Sequence, residues 1–397
     1  MPVVCLPKFF ENLLGPFSFL FSKPQFRQFR RYVLGLILCL EARNIEDISR
    51  RIGGTDQSNL NRFVTQPCWD VREMQERICQ LGFDQVKAGE SLFLSVDDTL
   101  CEKSGRQMEG AGWQHSSVEQ KQVWGHNLLY GLTSHADGKF PSGVSLYRKK
   151  EDCRVHGIAF RTKIELAQEM VDSYAPPPGH PITVLGDSWF FCKGLVERIQ
   201  ARGYHWVFAS KSNRILYRQG HKTKLSRLAK RVKLSEYKRV KIRGRIFWVL
   251  GLAVEIPKIG KVFLVLNREK TNGKKRLGCP RFLVSDQLDQ SAEKVLEDYL
   301  NRFQIENFFR DAKGHLGLDQ YQMRRADGVL IHASLVSAAY LFLTRLNAHL
   351  PKRHRKESIG ELVAWVQGRT FRESLLWAHR QGSHHRSKEV IYQRLAA

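Results

Sequence analysis

The sequence predicts an α/β protein with helical regions at both ends and a β-rich insertion in the middle, and three observations predict it. The chain has 397 residues, 42% hydrophobic and 11% aromatic. That is enough to bury cores in two or three domains of about 100–200 residues, and it excludes disordered and fibrous classes. The hydrophobic period is helical up to about residue 85, strand-like from residue 91 and helical again from residue 292. Finally, 64 Lys+Arg against 39 Asp+Glu give a net charge of +25 and a pI near 9.9. Such a balance points to a polyanionic partner, most simply nucleic acid, and away from small metabolites.

No apolar run approaches the roughly 20 residues needed to span a membrane. The best, residues 32–40, is short and flanked by arginines, so no membrane partner is expected. The start of the chain lacks the pattern of a signal peptide. The eight cysteines include no C-x-x-C pair, which argues against a zinc ribbon or a disulfide scaffold and for a reducing cytoplasm.

Taken in order, residues 1–88 read as a helical N-terminal DNA-binding domain. Ile45, Ile48 and Ile52 keep helical spacing, Gly53 and Gly54 break it, and Thr55 or Asp56 can cap a second helix holding Leu60 and Phe63. This is the outline of a helix-turn-helix over residues 44–66, whose second helix offers groove-reading side chains, Asn59 and Arg62 among them. An ordinary helical hairpin has the same outline. Residues 91–97, 122–133 and 140–148 then read as a three-stranded meander. A helix over 161–174 stops at Pro176-Pro177-Pro178 and is followed by a strand at 182–185, a helix over 189–201 and a strand at 205–209. The order β-β-β-α-β-α-β over residues 89–210 is that of the first part of a ribonuclease-H-like catalytic core. Residues 211–290 form a basic β-rich insertion, 291–346 supply helices that complete the core, and 347–397 make a basic helical C-terminal region.

Acids stand at the ends of the right strands. Asp97, with Asp98 beside it, closes the first strand, Asp187 follows the fourth, and Glu306 lies on a later helix. In such a sheet the first and fourth strands are neighbours, so the first two acids converge and a helix can deliver the third. Clustered carboxylates repel unless cations lie between them. Two Mg²⁺ ions, with Mn²⁺ able to substitute, would activate a water or a 3′-hydroxyl and stabilise the leaving oxygen of a phosphoryl transfer. Around Glu306 the segment Tyr299-Leu-Asn-Arg302-Phe-Gln-Ile-Glu306 runs on to Lys313. If it is one helix, Tyr299, Arg302, Glu306 and Lys313 share a face suited to gripping phosphates beside a metal; a solvated, ion-paired face has the same spacing.

These residues carry a resemblance. Val96-Asp97-Asp98-Thr99, Leu185-Gly186-Asp187-Ser188 and the pattern Tyr-x2-Arg-x3-Glu-x6-Lys from Tyr299 to Lys313 resemble the three motif regions of DDE transposases of bacterial insertion sequences. The resemblance implies Asp97, Asp187 and Glu306 as catalytic metal ligands for Mg²⁺-dependent cleavage of element ends and strand transfer into target DNA. It implies Tyr299, Arg302 and Lys313 as contacts to DNA phosphates, and a homodimer on double-stranded DNA that holds terminal inverted repeats and target. The setting it implies is the bacterial cytoplasm, associated with the nucleoid. Its motif places the first acid two positions before the Thr, at Asp97, yet Asp98 alternates to the other strand face and a register slip would exchange them. Some relatives use a tryptophan of the insertion to handle a flipped end base, which would be Trp248 here by position; a core tryptophan is the plainer reading.

Residues 211–245 hold 14 Lys/Arg and one acid, Glu236, half of the whole excess charge. Arg214, Lys222, Lys224, Arg227, Lys230 and Arg231 lie in this run, which offers almost no internal partners and therefore reads as a salt-sensitive grip on DNA backbone. Two alternatives stay open: a transposase-derived DNA-binding protein without activity, and a structure-specific nuclease of the same fold.

Overall fold

The computed structural model describes residues 7–52, 56–116, 120–270, 277–383 and 387. Its strands are β1 (Leu92–Glu102), β2 (Gly112–Ser116), β3 (Lys121–His135), β4 (Gly138–Tyr147), β5 (Ile182–Gly186), β6 (His205–Ala209), β7 (Ile215–Arg218), β8 (His221–Lys224), β9 (Lys238–Ile242), β10 (Arg245–Ile256), β11 (Gly260–Glu269) and β12 (Arg281–Ser285). Its α-helices are α1 (Phe9–Leu14), α2 (Lys23–Leu38), α3 (Ile45–Ile52), α4 (Gln57–Thr65), α5 (Val71–Phe83), α6 (Lys150–Val155), α7 (Lys163–Ser173), α8 (Lys193–Ala201), α9 (Leu225–Arg231), α10 (Ala292–Tyr299), α11 (Phe303–Leu316), α12 (Ala326–His349) and α13 (Ile359–Ser383).

All these strands join one sheet in the order β2-β3-β1-β5-β6-β12-β11-β10-β7-β8, with β4 on β3 and β9 on β10. β1 and β6 flank β5 in parallel, while β3 runs antiparallel to β1. β5 is buried at every position, as expected of a short apolar strand with neighbours on both edges and layers on both faces. β4 pairs with residues 127–135 of β3, and the short β2, which strand periodicity did not announce, pairs with residues 121–125. The 211–290 region is not a separate unit: β12 pairs with β6, so its strands continue the sheet that contains β1 and β5.

One hydrophobic core runs from Phe10 to Val366. The N-terminal helices belong to it and do not form a body of their own. Tyr32 on α2 hydrogen-bonds His332 on α12 at 2.8 Å, and Gln75 on α5 bonds both the Val144 backbone of β4 and Ser334 of α12. A second cluster lies under α10, where Val295, Leu296, Tyr299 and Leu300 cover Leu185, Val207, Val265 and Leu283 of the sheet. Contrary to the run-length expectation, α12 is long and apolar enough to cross a membrane, yet most of it is buried inside the protein, so it is a core helix.

The stretch 299–313 is not one helix. α10 ends at Tyr299, residues 300–302 form a 3₁₀ turn, and α11 begins at Phe303. The turn rotates the chain so that Arg302 points inward and is buried. Gly317 ends α11 with φ +68°, where a Cβ would lie 2.6 Å from Arg43, so glycine is required there both for conformation and for space.

Candidate active site

Asp97 and Asp187 are delivered by adjacent parallel strands. Val96 of β1 lies opposite Gly186 of β5, so the next residue on each chain emerges at the same place. Asp187 is fixed by its own turn: its Oδ1 accepts from the backbone N–H of Trp189 at 2.8 Å and of Phe190 at 3.3 Å. Gly186 permits the turn, because a Cβ there would lie 2.5 Å from the Phe208 ring.

Glu306 reaches this corner through a single guanidinium. Arg302 donates from Nη1 to Asp97 Oδ2 at 3.0 Å and from Nη2 to Glu306 Oε1, one turn away on α11. Only 8% of Arg302 is exposed; its guanidinium lies 5.7 Å from the Tyr299 ring centroid and 5.1 Å from that of Phe303. Burial of this cation is offset by Tyr299, Asp97 and Glu306, and its pKa is raised. Burial pushes the Asp97 carboxyl up to about 7; Arg302 opposes the rise, while Asp187 and Asp98 add to it. Asp97 is thus a half-buried carboxyl with too little positive charge around it.

The neighbouring acid has a different environment. Asp98 Oδ2 accepts from Lys163 Nζ at 2.8 Å and from Asn127 Nδ2 at 2.7 Å, on the opposite side of β1 from Arg302. The two aspartates therefore have separate partners, and Asp97 is the one that shares a cation with Glu306. Lys163 and Asn127 were not singled out in the sequence, since nothing in their local spacing marks them.

The expected phosphate contacts are otherwise engaged. Tyr299 is buried and its hydroxyl is pushed up by burial. Arg302 is spent on two carboxylates. Lys313 Nζ donates to the Leu100 carbonyl at 2.6 Å, tying α11 to β1. A cavity of about 500 Å³ opens beside Arg302, lined by Ser188, Ser210, Arg245, Asn267, Tyr299 and Phe303. Trp248 does not line it: half-buried between Arg239 and Arg268 of the flanking strands, it packs on the main core, which supports the core reading over a free stacking ring.

Of the basic run, Lys222, Lys224, Arg227, Lys230 and Arg231 are exposed on β8 and α9. Arg214 is half-buried; it donates to the Phe191 carbonyl at 2.8 Å and lies 4.2 Å from that ring. The run also has partners that the local sequence does not contain, Glu269 for Arg245 and Glu293 for Lys238. In the N-terminal part α3 and α4 form as expected, with Asp56 capping α4 and Asn59 and Arg62 exposed on it. The expected break at Gly53 and Gly54, and the alternative cap Thr55, lie outside the described residues.

The donor chemistry of the three acids suits a hard divalent cation, and the under-compensated charge at Asp97 is what such an ion would neutralise. Among the described residues, however, no three His, Cys, Asp or Glu side chains stand close enough to hold a metal ion together. Arg302 instead joins Asp97 to Glu306.

A family model described as DDE superfamily endonuclease matches residues 16–238, more than half of the chain. The chain belongs to the DDE endonuclease superfamily. A second model, Transposase DDE domain, matches residues 154–342. The chain is also 25% identical over 198 residues to a protein of Microchaete diplosiphon described as a probable transposase for insertion sequence element IS701. That match covers 47% of this chain and spans about half the length of the relative. The resemblance to insertion-sequence DDE transposases, read above from three short motifs, stands at the level of family. Members of this superfamily use divalent metal ions and act on DNA.

Proposed function

We propose that the protein is an insertion-sequence transposase that cuts DNA at the element's ends and transfers the resulting 3′ end into target DNA. One observation carries the reading: Asp97, mid-strand in β1 just past the end of its parallel pairing with β5, and Asp187, directly after β5, emerge side by side, and one guanidinium links Asp97 to Glu306. The path β4-β3-β1-β5-β6, antiparallel up to β1 and parallel beyond it, supports a ribonuclease-H-like core.

Asp97, Asp187 and Glu306 are the residues that would hold two Mg²⁺ ions, or Mn²⁺ in their place. Those ions would supply an activated nucleophile and charge neutralisation at the scissile phosphate. The chain's own residues do the rest. The Asp187 turn fixes one carboxylate, Lys163 and Asn127 keep Asp98 away from the reacting corner, and Arg302 carries positive charge to the acids. Exposed cations of β8 and α9 hold the DNA backbone with salt-sensitive affinity, and α4 with Asn59 and Arg62 reads the terminal repeat. The working form is a homodimer on DNA in the bacterial cytoplasm, associated with the nucleoid.

The test is Mg²⁺-dependent nicking of DNA carrying the element's own ends. Wild type should nick, Asp187→Ala and Glu306→Ala should not, and the 3′-hydroxyl product should join target DNA. Equal cutting by all three proteins would overturn the assignment, and cutting without joining would leave a structure-specific nuclease.

A further inference from the structure

We propose that Trp189, Tyr147, Phe160 and Lys163 form a subsite for one unpaired nucleobase of a DNA strand passing Asp187, an inference that rests on the transposase reading above. Trp189 is 47% exposed, unusual for the largest apolar side chain. Its backbone N–H is bound to Asp187, and its ring stands edge-on to buried Phe190 with centroids 5.1 Å apart. The ring is therefore held in a fixed position two residues from a reacting carboxylate, with much of its surface open to water.

Lys163 ties this ring to a second one. Its ammonium lies 5.6 Å from the Trp189 centroid and 5.3 Å from that of Tyr147, while bonding Asp98 at 2.8 Å. Phe160, 37% exposed, meets Tyr147 edge-on at 6.4 Å. The base of the subsite is rigid, since Lys163 is the first residue of α7, within the Thr162–Glu165 capping box. Residues 154–162, by contrast, are exposed throughout and present Val155, Ile158 and Phe160 to water.

Charge chooses the occupant. Residues 148–163 hold six Lys/Arg against two acids, and one of those acids, Asp152, is already paired with Arg148. Aromatic faces interleaved with cations suit a base together with its phosphate. A base within a duplex has its faces covered by its neighbours, so the occupant is unpaired.

Two DNA probes test this with the full chain: a blunt duplex, and the same duplex with a short single-stranded overhang carrying 2-aminopurine. Wild type should bind the overhang form roughly 5- to 150-fold more tightly, the equivalent of one stacked base, and quench its fluorescence. Trp189→Ala should bring the ratio close to one and abolish quenching; Trp189→Phe should keep most of both. Phe371→Ala, which removes an exposed ring from α13, should leave the ratio as in wild type. A wild-type ratio of one, or a ratio that survives Trp189→Ala, overturns the subsite. So does a Trp189→Ala change confined to self-association in sedimentation, which would assign the patch to a second copy of the chain. Wild type that neither binds blunt duplex nor nicks element ends would sink the transposase reading; wild type that does both while ignoring Trp189 would sink the subsite alone.

Discussion

Replacing Arg302 by methionine should cost stability in a manner that grows with pH. In the folded protein Asp97 keeps its proton up to about pH 7, whereas an unfolded aspartate loses it at about 3.9. Between those values the native state binds more protons, so stability falls as pH rises, by at most about 1.4 kcal/mol per unit. Above pH 7 the native carboxylate ionises and the fall levels off. Arg302 lowers the Asp97 pKa; without it Asp97 stays protonated past pH 7 and the fall continues. The extra loss from this source is close to zero at pH 6 and about 2 kcal/mol at pH 8.5. The Glu306 side chain is 50% exposed, so solvent screening limits its share to about 0–1 kcal/mol. Loss of the cation from the Tyr299 and Phe303 rings adds about 1 kcal/mol at any pH, while methionine keeps most of the stem's packing.

The expected destabilisation is thus about 1 kcal/mol at pH 6 and about 3 kcal/mol at pH 8.5. Urea unfolding of both proteins, with EDTA present, at pH 6.0, 7.0, 8.0 and 8.5 measures it. A difference that stays constant or shrinks as pH rises would refute the argument, because it would mean that Arg302 does not compensate a half-buried Asp97 charge.

Three further outcomes are expected. Burial holds His332 near pKa 3 against about 6.5 unfolded, so stability is lost as pH falls below 6.5; His332→Gln should lose about 2 kcal/mol less than wild type between pH 7 and pH 5 in urea titrations. Neutralising Lys222, Arg227, Lys230 and Arg231 to Gln should flatten the slope of log affinity against log salt by about 0.9 per lost contact, as read by duplex binding between 50 and 200 mM salt. Gly186→Ala would drive a Cβ against Phe208 at a cost of about 1–3 kcal/mol, lowering Tm and end nicking together, whereas Gly15→Ala, with nothing within 4 Å, should change neither.

What the sequence shows and hides follows from the range of each interaction. The strands around Asp97 and Asp187 are legible because alternation and burial are local properties. The choice between Asp97 and Asp98 is not: it depends on Arg302 and Lys163, whose partners lie 205 and 65 positions away. The segment 299–313 reads as one helix because a single 3₁₀ turn at 300–302 barely disturbs a 3.6-residue pattern, yet that turn sends Arg302 inward. α12 reads as a helix from the sequence but not as an apolar run of membrane-spanning length, because His332, Ser334 and Ser337 interrupt it. In the fold each is satisfied, the serines by carbonyls one turn back and His332 by Tyr32 and the Gly317 carbonyl.

The sheet connects the basic segment mechanically to the acids. Leu283, Val284 and Ser285 of β12 pair with Ala209, Phe208 and Val207 of β6, and β6 pairs with β5, which ends at Asp187. Arg214, at the root of the basic run, bonds the carbonyl of Phe191, four residues beyond Asp187. α9 follows from that root, with Ser226 N–H bonding the Ser212 carbonyl and Leu225 N–H that of Arg214. Cations of α9 and the carboxylate of Asp187 are therefore held by two short routes, one through a ladder and one through a guanidinium. Their separation is set by packed structure and not by a tether. On the proposed function, a DNA backbone held by α9 would meet the acids at a defined distance. Charge alone would not do this, since the same cations on a flexible tail would raise affinity without choosing which phosphate faces Asp97 and Asp187.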